Sequence, residues 1–183
     1  DAAQIEAAVQ HVEELDVLVN NAGLAIYGEL ADQRALERQI AVNLFGTYSM
    51  TQAFGERLIS AGGTVVNVLS LAAIAPVPVM PAYSVSKAAA FSLTQAMRMT
   101  LAGQGVRVHA VLSGPLDTDM TSQLPFTKTP PNEAARAIFD GVAAGTEDIF
   151  PDPWSAAALA ETWPTGPAKR LERENAALPQ PMG

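Results

Sequence analysis

Three short apolar runs rich in β-branched residues punctuate this chain, LDVLVNNAG at 15–23, GTVVNVLS at 63–70 and GVRVHAVLSG at 105–114, and helix-compatible stretches separate them. Strands buried on both faces read as near-continuous apolar runs, and strands that alternate with helices pair in parallel. The pattern predicts an opening helix to about Glu14, a strand at Leu15 to Val19 and a long helical region from about Asp32 to Ser60. A strand at Thr64 to Leu69, a helix from Ala82 to about Gln104 and a strand at Val106 to Leu112 follow. After a Thr- and Pro-bearing loop to about Pro131, Asn132 is placed to cap a helix from Glu133 to about Ala144, and Glu147 to Phe150 reads as a short last strand. Beyond Pro151, spaced prolines predict an irregular tail with helical pieces at WSAAALAE and AKRLERENAAL. No internal repeat or low-complexity tract interrupts the order.

With 183 residues and 49% apolar side chains, one domain with a substantial core is expected, residues 1–150 as the core and 151–183 as a C-terminal tail. A net charge of -8 argues against a nucleic-acid or anionic-membrane partner, both of which need a basic face. The absence of cysteine excludes a disulfide framework, a thiol nucleophile and a thiolate metal site. His11 and His109 have no companions at metal-ligand spacing, so no metal site is expected; His109 lies in a strand, where its ring must find a hydrogen bond or reach an edge. No apolar run reaches membrane-spanning length and no signal peptide is visible, so the expected location is the cytoplasm.

The chemistry-bearing residues cluster in the middle. Tyr83 and Lys87, in YSVSK, lie one helical turn apart and project from one face of the helix from Ala82 to Gln104. An adjacent ammonium stabilises phenolate and lowers a tyrosine pKa, which makes Tyr83 a candidate general acid/base. Ser70 ends the run GTVVNVLS, and active sites of open α/β sheets lie at the carboxyl ends of strands. Singly, each residue has an ordinary explanation: a Tyr and a Lys at helical spacing form a surface turn, and a Ser after a strand is a cap. Asn43 is harder to dismiss, since Asn inside a helix is unfavourable and often marks a local backbone role.

Together with NNAG ending at Gly23 and VNLFG at 42–46, these segments resemble the short-chain dehydrogenase/reductase family. The resemblance runs from about Asp1 to Pro153 and places the family's tetrad on Asn43, Ser70, Tyr83 and Lys87. It implies a Rossmann-like doubly wound parallel sheet, an NAD or NADP cofactor, and hydride exchange with an alcohol or carbonyl carbon. In the reducing direction Tyr83 would protonate the carbonyl oxygen and Ser70 would hydrogen-bond it. Lys87 would hold the nicotinamide ribose and lower the Tyr83 pKa, and Asn43 would hold a water in the proton relay. Asn20, Ala22 and Gly23 would line the adenosine side, and Gly114, Leu116 and Thr118, in SGPLDTDM, the nicotinamide end. Ser113 stands where the family usually has Pro, which is expected to alter cofactor affinity rather than chemistry.

The family's Gly-rich turn, which lets a pyrophosphate approach a helix N-terminus, has no counterpart: Gly62 and Gly63 precede a strand instead of opening a helix. The resemblance therefore implies a partial domain lacking the first strands, in which Leu15 to Val19 becomes an unpaired sheet edge and the chain by itself binds a dinucleotide weakly. Choosing NAD or NADP needs the residue after the second strand, in that same portion. Ile74, Val77, Val79 and Met80, facing Met120, Leu124 and Phe126, are expected to surround an apolar small-molecule alcohol or ketone. Phe91, Met97 and Met99 exceed one inward stripe on their helix, and related enzymes pair such helices across a twofold axis, so a homodimer or homotetramer is expected of the complete protein. Two other functions stay open. One is a non-catalytic remnant that binds a partner; the other is a nucleotide-sugar epimerase or dehydratase, which also uses Tyr and Lys four apart, although NNAG and the short C-terminal region weigh against it.

Overall fold

A computed structural model describes residues 1–178. Four parallel strands, β1 (Val17–Asn20), β2 (Thr64–Val68), β3 (Arg107–Val111) and β4 (Asp148–Ile149), form one sheet in the order β1-β2-β3-β4. The register pairs Leu18 with Val65 and Val65 with Val108, so these three side chains share a face. Helix α1 (Ala2–His11) precedes β1, and α2 (Gln33–Ile40), α3 (Thr47–Ala53) and α4 (Gly55–Ala61) connect it to β2. Helix α5 (Pro81–Ala102) joins β2 to β3, and α6 (Pro131–Ala143) joins β3 to β4.

The sheet is covered on both faces. On one, Leu18, Val65 and Val108 pack with Phe54 and Leu58 from the α3–α4 region and with Met97 of α5. On the other, Val66, Val111 and Ile149 pack against Ile138 and Val142 of α6. Each fully buried side chain of this kind contributes about 1.5–3 kcal/mol. At β1 the cover thins: Val17 and Val19 are 39% and 42% exposed, and β1 is the outermost strand among the described residues, as the sequence pattern anticipates.

The helical region before β2 is less regular than its composition suggests. Asp32 caps α2 by accepting from the Ala35 amide, but residues Ala41–Gly46 form a π-helical segment, and Phe54 interrupts the helix again between α3 and α4. Gly62 closes α4 in the left-handed conformation (φ 59°), where glycine carries no Cβ penalty, so the Gly62–Gly63 pair is a turn into β2.

Helix α6 starts at Pro131 and not, as expected, behind an Asn132 cap. Proline's fixed φ suits the first helical position, so Asn132 lies within the first turn and caps nothing.

The tail is more ordered than its prolines suggest. Helix α7 (Pro153–Ser155), a π-helical segment Ala156–Ala160, a 3₁₀ turn Trp163–Thr165 and helix α8 (Pro167–Ala176) follow β4. Trp163 is buried against Phe91 and Phe150, at ring-centroid distances of 6.0 and 6.2 Å, and its indole N–H donates to Asp148 at 2.9 Å. Lys169 of α8 reaches Asp148 at 2.7 Å and Glu172 at 3.0 Å, while Arg98 of α5 pairs with Asp148 at 2.8 Å and also with Glu172. An aromatic anchor and a nearly dry ion-pair cluster therefore bind α8 to the sheet and to α5.

Phe91 and Met97 are likewise core residues, 8% and 5% exposed, so they do not form the partner-facing surface expected of them. The tail supplies the cover for Phe91 through Trp163.

Candidate functional site

A cavity of about 620 Å³ opens where β1, β2 and β3 end. Its wall takes Asn21, Ala22 and Gly23 from the segment after β1, Val68 to Ala72 from the end of β2, and Ser113 to Leu116 from the end of β3. Ligands of open α/β sheets bind in such a crevice at the carboxyl ends of the strands.

Tyr83 and Lys87 enter from the first turns of α5, which Pro81 opens. Both are buried, and the Lys87 Nζ stands 5.8 Å from the centre of the Tyr83 ring. The Lys87 ammonium donates to the Val68 carbonyl at 2.8 Å, which fixes it beneath the end of β2. Ser70 approaches the Tyr83 phenol through its hydroxyl, and the same oxygen accepts from the Ala72 amide at 3.1 Å. The cap and the site residue are thus one side chain.

Electrostatically the pair runs opposite to the sequence-based expectation. Burial pushes the Tyr83 phenol up to about 12, against the lowering contact with Ser70, and Tyr27 adds to the rise. Burial also pushes the Lys87 ammonium down to about 8. Desolvation outweighs the other influences on the phenol, so in this state Tyr83 holds its proton firmly.

Asn43 does not line the cavity; it braces the wall. Its Nδ2 donates to the Leu24 carbonyl and to the Ser86 hydroxyl, both at 2.8 Å, and its Oδ1 accepts from the Leu24 amide at 2.8 Å. The π-helical segment at Ala41–Gly46 brings this buried amide to the loop after β1 and to α5 at once. Asn20 is also turned away: its Nδ2 donates to Thr51 at 3.1 Å and Asn67 at 2.8 Å, and the neighbouring Asn21 lies in the wall instead. Ala22, Gly23, Gly114, Leu116 and Thr118 line the cavity.

Ser113, which stands where the resembling family usually has proline, is buried and donates to the Leu69 carbonyl at 3.3 Å, tying β3 to the strand end that carries Ser70. Gly114 is held from the tail: its amide donates to Asp152 Oδ2 at 2.7 Å, and a Cβ there would stand 2.6 Å from Asp152 Oδ1 and 2.8 Å from Trp154 Cβ. No other residue fits.

Of the seven apolar residues expected around a substrate, Val77, Met80, Met120, Leu124 and Phe126 line the cavity. Ile74 and Val79 point to solvent, 38% and 51% exposed. Three participants escaped sequence reasoning. Trp154 lines the cavity and meets Phe126 at 5.6 Å, Tyr27 donates from its hydroxyl to the Met120 carbonyl at 3.0 Å, and Asp152 carries Gly114. Among the described residues, no group of three or more His, Asp or Glu is arranged to hold a metal ion, and no helix is long and apolar enough to cross a membrane.

Residues 1–128 match the family model described as short chain dehydrogenase. The 2-(S)-hydroxypropyl-CoM dehydrogenase 3 of Xanthobacter autotrophicus is 39% identical over 140 residues, 74% of this chain and 55% of the relative. The 3-oxoacyl-(acyl-carrier-protein) reductase FabG of Thermotoga maritima is 36% identical over 124 residues, 66% of this chain and 50% of the relative. The chain therefore spans about half the length of these curated relatives. A crystal structure of a short chain dehydrogenase from Burkholderia cenocepacia in complex with NADP matches with a TM-score of 0.84 at 31% identity, covering 98% of this chain and 76% of that one. Fold, crevice and these matches agree: the chain belongs to the short chain dehydrogenase family.

Proposed function

We propose that the protein is an NAD- or NADP-dependent oxidoreductase that interconverts an alcohol and a carbonyl compound, with Tyr83 as general acid/base. The observation that carries this reading is the convergence of Ser70, Tyr83 and Lys87 on one cavity at the strand ends. When bound, the nicotinamide cofactor supplies or accepts the hydride at the reacting carbon.

The residues present fit the nicotinamide and ribose end of such a cofactor. Gly23 lies beside the reactive pair, where an added Cβ would touch Asn43 Oδ1 at 3.5 Å and the Lys87 Nζ at 3.6 Å. Lys87 keeps two N–H donors beyond the one given to Val68, enough to hold ribose hydroxyls. Ala22 and Gly23 flank the adenosine side, with Asn20 fixing the strand end behind them. Gly114, Leu116 and Thr118 flank the nicotinamide end.

In the reducing direction Tyr83 donates its proton to the substrate oxygen, and Ser70 hydrogen-bonds that oxygen as charge develops. The raised pKa keeps Tyr83 protonated before reaction but makes it a weaker acid, so the transfer relies on charge developing on the substrate oxygen. Lys87, when charged, favours the phenolate left behind. Asn43 sets the distance between the loop after β1 and α5, and so places Lys87.

The exposed apolar side chains Val42, Phe45 and Tyr48 before and within α3, with Val85 on α5, support assembly of the complete protein as a homodimer or homotetramer. The test of the proposed activity is nicotinamide absorbance in the full-length protein offered NADH or NADPH and a panel of small ketones. Cofactor oxidation that requires ketone is the expected result; none with any cofactor and ketone pair would refute the reading.

A further inference from the structure

We propose that Trp154, held in place by Asp152, is the specificity-determining residue of this cavity and selects neutral aromatic ketones or alcohols; this rests on the oxidoreductase reading. Asp152 is 3% exposed and fully engaged, accepting from the Gly114 amide at 2.7 Å, the Ser155 amide at 3.0 Å and the Ser155 hydroxyl at 2.8 Å. It thereby fixes the start of α7 to the floor of the cavity. Trp154, two residues on, lines the cavity and is 52% exposed, with its ring 5.6 Å from that of Phe126 at an interplanar angle of 47°. Two large aromatic rings left half in water at a cavity mouth are an unfilled apolar surface, and a third ring can stack or tilt against them.

Charge sharpens the choice. Among the described residues, apart from Lys87, which lies at the chemical end, the only ionisable carboxylate or cation in the cavity wall is Asp119. A substrate whose far end carries a sulfonate, carboxylate or phosphate would meet Asp119 in the wall, while the ammonium of Lys128 lies outside it on the Ser122 carbonyl at 3.5 Å, a like-charge contact that discriminates against such groups. The far end is therefore neutral and flat.

The test is tryptophan emission of the full-length protein with NADP⁺ present, titrated with acetophenone, with acetone and with para-sulfonated acetophenone, in wild type and in Tyr83→Phe. Acetophenone should quench saturably in both proteins, acetone should not, and the sulfonate should bind at least about tenfold more weakly. In Trp154→Phe, whose remaining Trp163 is buried in the core, the quench should vanish while the far-UV spectrum stays unchanged. Trp154→Ala should lower the ratio of kcat/KM for acetophenone to that for acetone about tenfold or more. No quench, a quench that survives in Trp154→Phe, or equal affinity for the sulfonate would overturn the proposal. Persistent turnover in Tyr83→Phe alongside the quench would instead defeat the catalytic reading and leave this one standing.

Discussion

The Lys87 ammonium donates to the Val68 carbonyl at 2.8 Å and stands 5.8 Å from the centre of the Tyr83 ring. It is anchored to the strand end first and to the tyrosine's surroundings second. The two buried groups are consequently shifted in opposite directions, Tyr83 up to about 12 and Lys87 down to about 8.

Without ligand, Tyr83 should therefore stay protonated through the ordinary tyrosine range. Ultraviolet titration of wild type against Tyr83→Phe isolates its phenolate signal, expected only near pH 12. A difference signal with a midpoint at or below the ordinary tyrosine value of 10.0 would show that Lys87 governs the phenol after all.

Asn43→Ala removes three hydrogen bonds and leaves both the Leu24 amide and carbonyl without their partner. These part-buried bonds are worth about 0.5–1.5 kcal/mol each, so urea denaturation should show a loss of at least about 1 kcal/mol. A loss confined to activity, with the unfolding midpoint unchanged, would mean that Asn43 does not brace the wall.

The cluster that anchors α8 should respond in the same way. Arg98 and Lys169 are 11% and 4% exposed and face Asp148 and Glu172 at 3% and 7%. Burial alone would raise the Asp148 pKa, but Arg98 and Lys169 together with the Trp163 indole hold it below its ordinary value. Arg98→Met takes one of the two cations from Asp148 and Glu172, which Lys169 still holds, and should cost about 1–3 kcal/mol, little relieved by salt. A change within experimental error would show that the tail is not fastened by charge.

His109 supplies a pH dependence. Its Nδ1 lies 2.7 Å from the Thr146 carbonyl and must donate to it, so the buried Nε2 is the unprotonated nitrogen, and it has no partner. Burial lowers its pKa despite the Thr146 bond. A depressed folded pKa means that stability is full above the unfolded value of 6.5 and is lost as pH falls from there toward the folded one. Denaturation midpoints measured from neutral to mildly acid pH should fall in wild type and flatten in His109→Gln. Parallel curves for the two proteins would exclude His109 as the cause.

Much of this arrangement is legible in the sequence because its causes are local. The runs around Val17, Val65 and Val108 fall within a residue or two of the strands, and YSVSK opens a helix that turns Tyr83 and Lys87 inward. Asn43, out of place by helix propensity, marks the π-helical segment. What the sequence hides is set by distance along the chain. Asp152 meets Gly114 and Trp154 meets Phe126 only after β4 has paired, and nothing near Pro151 distinguishes a fastened tail from a loose one. The same omission misplaced Phe91, whose apolar excess is covered by Trp163 of its own chain rather than by a second copy.

The most direct measurement is single-turnover and steady-state ketone reduction by the full-length protein carrying Tyr83→Phe. Loss of a positioned proton donor lowers the rate by about 10²- to 10⁴-fold, and the unfolding midpoint should stay near that of wild type. Turnover indistinguishable from wild type in a folded Tyr83→Phe protein would contradict the assignment of Tyr83 as the acid/base and, with it, the proposed chemistry of the cavity.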